Sequence, residues 1–236
     1  AVFWPSMIVI VLVAVLSIAF PESAATAMEG SQNWIVANLG WFYMLAIGLF
    51  VAFAIVVALS SWGSIRLGRD DDEPEFGLLS WFAMLFSAGM GVGLVFYGVA
   101  EPLGYTTGAA KPGWTGEGVE LSGVAMAQTF LHWGLHPWAA YAVIGLALAY
   151  AIHRRGRPVS IRWALEPVFG ERVKGWLGDV IDILAIFGTV FGIATSLGLG
   201  AQQIGAGMQV IGVVDEASTN FLVVLIVVIT FIATLS

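Results

Sequence analysis

Two short stretches of this chain place unusual backbone or aromatic groups inside otherwise apolar segments. In Ser87-Ala88-Gly89-Met90-Gly91-Val92-Gly93, three glycines fall within five residues. Each costs up to about 1 kcal/mol of helix propensity relative to alanine, so the run predicts a helix that unwinds there. Backbone freed at that depth offers N–H groups to a carboxylate and carbonyls to a cation. Helix packing is the competing explanation, because Gly89 and Gly93 form a small-xxx-small pair on one face. That explanation leaves out Gly91, which lies about 200° round the helix from Gly89. On the pattern alone both explanations stand.

The second stretch is His132-Trp133-Gly134-Leu135-His136-Pro137-Trp138-Ala139-Ala140-Tyr141. On one continuous helix, with Trp133 at zero, Trp138 falls near 140° and Tyr141 near 80°, so all three share a broad face. Pro137 would free the Trp133 carbonyl and bend the helix among the rings. Three such rings could cage a quaternary ammonium, which has no N–H to donate and is held by ring faces. Tryptophan also collects at membrane interfaces, which suits Trp34, Trp62, Trp114, Trp163 and Trp176 near segment ends. His132 and His136 stand at metal-ligand spacing, but no glutamate follows the first and no third ligand lies near. Packed or hydrogen-bonded histidines are the expectation. Asp179 and Asp182 open a later apolar segment near Lys174, where carboxylates favour a helix N-terminus; a proton relay is the alternative. Gly188 and Gly192 repeat the packing spacing.

The elements that must position these groups are membrane helices. Hydrophobic residues make up 59% and charged residues 11%, against about 25% charged in a soluble domain. Six apolar runs appear, at 3–20, 35–61, 79–100, 124–151, 176–204 and 221–235, each near the roughly 20 residues that cross hydrocarbon. The first run could be a secretory leader, since Ser23-Ala24-Ala25-Thr26-Ala27 follows it; no cation precedes it, and a span is expected. Arg66 and Arg69 lie in the second connection, and Arg154, Arg155, Arg157, Arg162, Arg172 and Lys174 in the fourth. Of the nine cations only Lys111 falls elsewhere. That alternation predicts six spans with both chain ends cytoplasmic. The formal charge of −7 says little about partners, because the acidic residues cluster in loops; nothing resembles a basic nucleic-acid surface, so no nucleic-acid partner is expected. Without cysteine there is no disulfide or thiolate site. No nucleophile–base pair stands out, so an enzyme is not expected. The chain starts at Ala1 and stops as its last apolar run ends, and is expected to be incomplete.

The motifs extend into a family resemblance. Gly89–Gly93 followed by Val95-Phe96-Tyr97-Gly98-Val99-Ala100-Glu101-Pro102-Leu103 resembles the signature of the betaine/choline/carnitine transporter (BCCT) family. So does the His132–Tyr141 stretch, continued by Gly145-Leu146-Ala147-Leu148-Ala149-Tyr150. Asp182-Ile183-Leu184-Ala185 through Ser196-Leu197-Gly198-Leu199-Gly200 is similar to the family's next helix. The resemblance covers nearly the whole chain and is most specific over residues 79–205.

The resemblance implies an all-α membrane protein of six transmembrane helices with a partial LeuT-like inverted-repeat transporter core. Residues 1–78 would supply two peripheral helices and a cytoplasmic loop, and residues 79–236 the first four core helices. Trp133, Trp138 and Tyr141 match the family's aromatic-box positions around a trimethylammonium group. The backbone around Ala88, Met90, Gly91 and Gly93 would face the substrate carboxylate or the coupling ion. Sodium-coupled relatives carry two hydroxyls one turn apart in the fifth span; here those positions read Thr189 and Ile193, so one is missing. A second sodium site would use third-span carbonyls at Ser87 and Met90, which any side chain can supply. Proton-coupled choline carriers tend to hold an aspartate where Gly93 stands, and neutral glycine suits a substrate with its own carboxylate. The expectation is therefore a secondary active transporter in the plasma (inner) membrane, taking up a quaternary ammonium osmolyte such as glycine betaine. It would use sodium as coupling ion, need no other cofactor and form homotrimers in the bilayer. A proton-coupled choline or carnitine carrier, a transport-inactive fragment and a ligand sensor are the alternatives.

Overall fold

A computed structural model describes residues 2–89, 91–107, 114 and 119–235. The described residues are helical, with no strands among them. Three stretches are long and apolar enough to cross a membrane: Pro21–Leu59, Glu120–Arg154 and Trp176–Val210. Three shorter apolar helices, Phe3–Ala19, Leu78–Ser87 and Thr219–Leu235, fall on the remaining apolar runs.

The chain forms two compact units, Ala1–Pro74 with Phe130–Phe187, and Glu75–Thr129 with Gly188–Ser236. In the first, α1 (Phe3–Ala19) and α2 (Pro21–Leu59) meet at Phe20, whose φ of −136° and ψ of 64° leave the helical region. Pro21 then opens α2, where its fixed φ suits a first turn and its missing N–H costs nothing. The connection expected over residues 21–34 is therefore helix rather than loop. Its alanines, Met28, Glu29 and Gln32 are good helix formers, and α2 reaches 39 residues. At 1.5 Å per residue that is about 58 Å, well beyond a hydrocarbon core of about 30 Å.

In the second unit, α3 (Leu78–Gly89) and α4 (Val92–Thr107) cover the third apolar run. The helix continues past its expected end at Ala100, through Pro102, to Thr107. The fourth run, which passes into the first unit at Phe130, is divided into α5 (Val119–Trp133) and α6 (Leu135–Ala149), and within the first unit α6 packs against α2. A π turn at Tyr150–Arg154 closes α6. The connector that follows holds 3-10 turns and the short α7 (Glu166–Phe169). The fifth run is α8 (Trp176–Val210), and the sixth is α9 (Thr219–Leu235).

Most large apolar side chains are exposed: Leu59 is 84%, Leu79 82% and Leu184 61% accessible. A water-soluble chain could not tolerate so much uncovered hydrocarbon. For a helix solvated by lipid it is the normal condition. The glycines expected to pack, Gly188 and Gly192, have nothing within 4 Å of an added Cβ among the described residues. The close approach in this region is at Gly205, where a Cβ would lie 2.9 Å from a Leu222 methyl and 3.0 Å from the Ala217 Cβ. The absence of a side chain there lets α8 meet the start of α9.

Candidate functional site

In the first unit the fourth segment breaks at Gly134, not at Pro137. The Gly134 N–H donates to the Phe130 carbonyl at 2.8 Å, ending α5, and its ψ of −127° turns the chain away. A Cβ there would lie 2.4 Å from the Phe130 carbonyl oxygen, so only glycine fits without backbone movement. Helix α6 restarts at Leu135, which puts Pro137 in a first turn where no N–H has a helical partner. The proline is accommodated by the break instead of causing a bend three residues later.

That break changes what the aromatics can do together. Trp133 ends α5 and is half-buried, while Trp138 and Tyr141 belong to α6. The shared face computed along one helix does not apply to Trp133. Trp138 and Tyr141 are i and i+3 on α6, and their ring centroids stand 5.8 Å apart with planes tilted 40°. Both are exposed, at 42% and 71%. Two such rings can present π faces to a cation placed within about 6 Å of each. His132 and His136 flank the break, so they do not keep the helical spacing of a metal pair. No group of three or more potential metal-ligating side chains occurs among the described residues.

In the second unit the interruption expected in the third segment is present: α3 ends at Gly89 and α4 begins at Val92. Gly89 and Gly93 thus stand on separate helices and are not a packing pair on one face. The Gly91 carbonyl accepts the Val95 N–H at 3.2 Å and starts α4. The N–H groups of the first turn, Val92 to Leu94, lack partners within that helix and lie at its positive end. Gly91 is exposed and Gly93 half-buried. Ser87 is exposed in the last turn of α3, where carbonyls run out of helical donors. Ala88 lies in the same turn. Met90 and the side chain of Ala88 lie outside the described residues. Thr189 and Ile193 occupy exposed positions one turn apart on α8.

A charged network on the connector escaped the sequence. Arg162 donates from Nε to Asp182 Oδ2 at 2.6 Å and from Nη2 to Asp179 Oδ1 at 2.7 Å. Its backbone N–H reaches Asp182 Oδ1 at 3.1 Å, and Ser160 Oγ donates to Asp182 Oδ2 at 2.6 Å. Asp179 lies in the first turn of α8 and Asp182 in the second, and their partner is Arg162; Lys174 pairs with Glu171 at 2.5 Å instead. Nearby, Arg157 forms a two-pronged pair with buried Glu166 and lies 4.9 Å over the Trp163 ring. The Arg157 hydrogen bond holds the Glu166 carboxyl below the usual carboxylate range, against the opposing effect of burial. Arg154 bonds Asp70 at 2.7 Å and the Arg66 carbonyl at 2.8 Å, tying the connector to the loop after α2. The sequence signals for these pairs are the density of cations between residues 154 and 174 and the two aspartates at the start of the fifth run, without their pairing. The partners of Arg157 and Arg162, 9 to 20 residues away, follow no helical period.

A sequence model of the family described as BCCT, betaine/carnitine/choline family transporter, matches residues 1–236. The chain is 50% identical over 214 residues to an uncharacterized transporter of Mycobacterium tuberculosis, covering 90% of this chain and 36% of that protein. It is 43% identical over 228 residues to the glycine betaine transporter OpuD of Bacillus subtilis, covering 97% and 44%. A glycine betaine/proline/choline transporter of Vibrio parahaemolyticus is 40% identical over 250 residues, covering 100% and 45%. The chain thus spans less than half the length of each of these relatives. By a family match along its whole length, supported by these identities, the chain belongs to the betaine/carnitine/choline transporter family.

Proposed function

We propose that the full-length protein is a secondary active transporter that takes up a zwitterionic quaternary ammonium osmolyte, glycine betaine being the leading candidate. The observation that carries this reading is the Trp138–Tyr141 ring pair on α6, just past the break at Gly134. Trp133, Trp138 and Tyr141 take the trimethylammonium head through ring faces. Backbone N–H groups around Gly91 and Gly93 take the carboxylate, with Ala88 and Met90 completing that stretch. Family membership and the betaine-named relatives support the substrate class.

Sodium is the proposed coupling ion, held by oxygen from Thr189 and by the carbonyls of Ser87 and Met90. Since Ile193 removes one hydroxyl, the carbonyl site is the stronger of the two. The six apolar runs serve as six spans of a LeuT-like core with its two preceding helices, in the plasma membrane. The cation-bearing connections and both chain ends lie in the cytoplasm, and the assembly is a homotrimer. Alternating access follows when substrate and sodium together stabilise the closed site.

Uptake of labelled glycine betaine into proteoliposomes, with and without an inward sodium gradient, tests this. Sodium-dependent accumulation supports the whole reading. Equal uptake in both conditions removes sodium coupling, and a proton gradient then tests the choline or carnitine alternative. No uptake of betaine, choline or carnitine removes the substrate class.

A further inference from the structure

The connector between α6 and α8 is pinned to the start of α8 by two independent features. The first is ionic. Asp182 accepts from the Ser160 hydroxyl, the Arg162 backbone N–H and Arg162 Nε, while Arg162 Nη2 reaches Asp179. The side chains of Arg162 and Asp182 are each only 14% exposed. Bonds between ionised groups with that little water are the strong kind. The second is steric. The Val173 carbonyl oxygen would lie 1.8 Å from a Cβ on Gly178, and Val173 itself is fully buried. The connector backbone therefore occupies the space that a side chain in the first turn of α8 would fill. Arg162 Nη1 also approaches that same carbonyl, at 3.4 Å.

We infer that Arg162, Asp179 and Asp182 form a latch, seated on Gly178, that holds the connector shut against α8 and must release during the transport cycle. The two acids hold different nitrogens of one guanidinium, Nε on Asp182 and Nη2 on Asp179, so one bond can open while the other stays made. With Asp179 35% exposed and Asp182 14% exposed, the arginine has a wetter and a drier partner. It can shift toward Asp179 as the drier bond opens, which lowers the cost of release. The connector also begins where α6 ends in a π turn, a helix irregularity frequent at functional sites. Arg154, the last residue of that turn, is fixed to Asp70, so release at α8 leaves the start of the connector attached to the loop after α2. The latch rests on the transport reading only for the step it gates; its opening is measurable without substrate.

Two measurements test it on the full-length protein in a background free of other cysteines. In the first, Val173→Cys reports opening through its labelling rate with a membrane-impermeant maleimide applied to the cation-bearing face. Asp182→Asn added to Val173→Cys should speed labelling by about tenfold or more, the effect expected from losing a charged hydrogen-bond partner. An unchanged rate overturns the latch. In the second, Ser160→Cys and Asp182→Cys are joined by a short bis-methanethiosulfonate cross-linker. The cross-linked protein should bind labelled betaine but stop transporting it, and reduction should restore transport. Transport at the reduced rate while cross-linked overturns the gating role. If the reduced protein moves no quaternary ammonium at all, the functional reading fails, and the labelling rate still decides the latch.

Discussion

Trp138 and Tyr141 stand with ring centroids 5.8 Å apart on the first two turns of α6, immediately after a helix break that only glycine allows. Removing the indole should weaken binding of a quaternary ammonium by at least about 1 kcal/mol, since a ring face on a desolvated cation is worth that much or more. Trp138→Leu should therefore raise the Kd for glycine betaine at least about fivefold in a calorimetric titration. An unchanged Kd would remove Trp138 from the site.

The break itself makes a separate prediction. Gly134→Ala puts a Cβ 2.4 Å from the Phe130 carbonyl oxygen, so the chain must straighten or shift. We expect about 1–3 kcal/mol of destabilisation and a weaker substrate Kd, because the ring pair is set by where α6 restarts. A thermal melt in detergent together with the titration measures both. Pro137→Ala should cost less, since a first-turn proline forfeits no helical bond.

Gly178→Ala is expected to be more damaging than Gly188→Ala or Gly192→Ala in the same helix. Its Cβ would meet the Val173 carbonyl, a backbone atom that cannot swing aside as a side chain can. Gly188→Ala and Gly192→Ala, with open space at both positions, should leave the melting temperature unchanged or slightly raised. Comparing the three melts checks this.

The Arg157–Glu166 pair predicts a pH dependence outside the membrane-spanning helices. The folded-state carboxyl of Glu166 sits below its ordinary value of 4.5 because Arg157 hydrogen-bonds it. The unfolded chain therefore takes up this proton first as pH falls, and the pair's stabilisation is full above the unfolded value. It is lost as pH drops from there through the folded value. The stability gap between the native protein and Glu166→Gln should be widest at neutral pH and shrink below about pH 4.5. A gap that widens on acidification would contradict the assignment.

Coupling by sodium separates side-chain from backbone ligands. If the proposed sodium sites hold, Thr189→Val should raise the sodium concentration needed for half-maximal uptake, whereas Ser87→Ala should leave it unchanged because the proposed ligand there is the backbone carbonyl. Sodium titrations of uptake at fixed betaine distinguish the two.

Much of this was legible in the sequence wherever composition alone decides. The apolar runs locate the helices, and the glycine excess at 89–93 locates the interruption between α3 and α4. Helix ends were less legible. Pro21–Trp34 looked like a loop because it is less apolar than its flanks, yet its helix formers continue α2. Pro137 drew attention as a helix breaker, while Gly134 made the break, because a clash with one specific carbonyl cannot be seen in residue types. The Arg162 network was illegible for the same reason: its partners are set by how the connector folds back on α8, not by spacing. The aromatic-box reading comes from family resemblance alone, and the structure adds the Trp138–Tyr141 ring pairing.

The central claim is that these rings bind a quaternary ammonium for transport, and sodium-driven uptake of labelled glycine betaine by the full-length protein tests it most directly. The account predicts accumulation above equilibrium with an inward sodium gradient, abolished by dissipating the gradient and reduced by Trp138→Leu. Absence of uptake for betaine, choline and carnitine by correctly folded, reconstituted protein would contradict it.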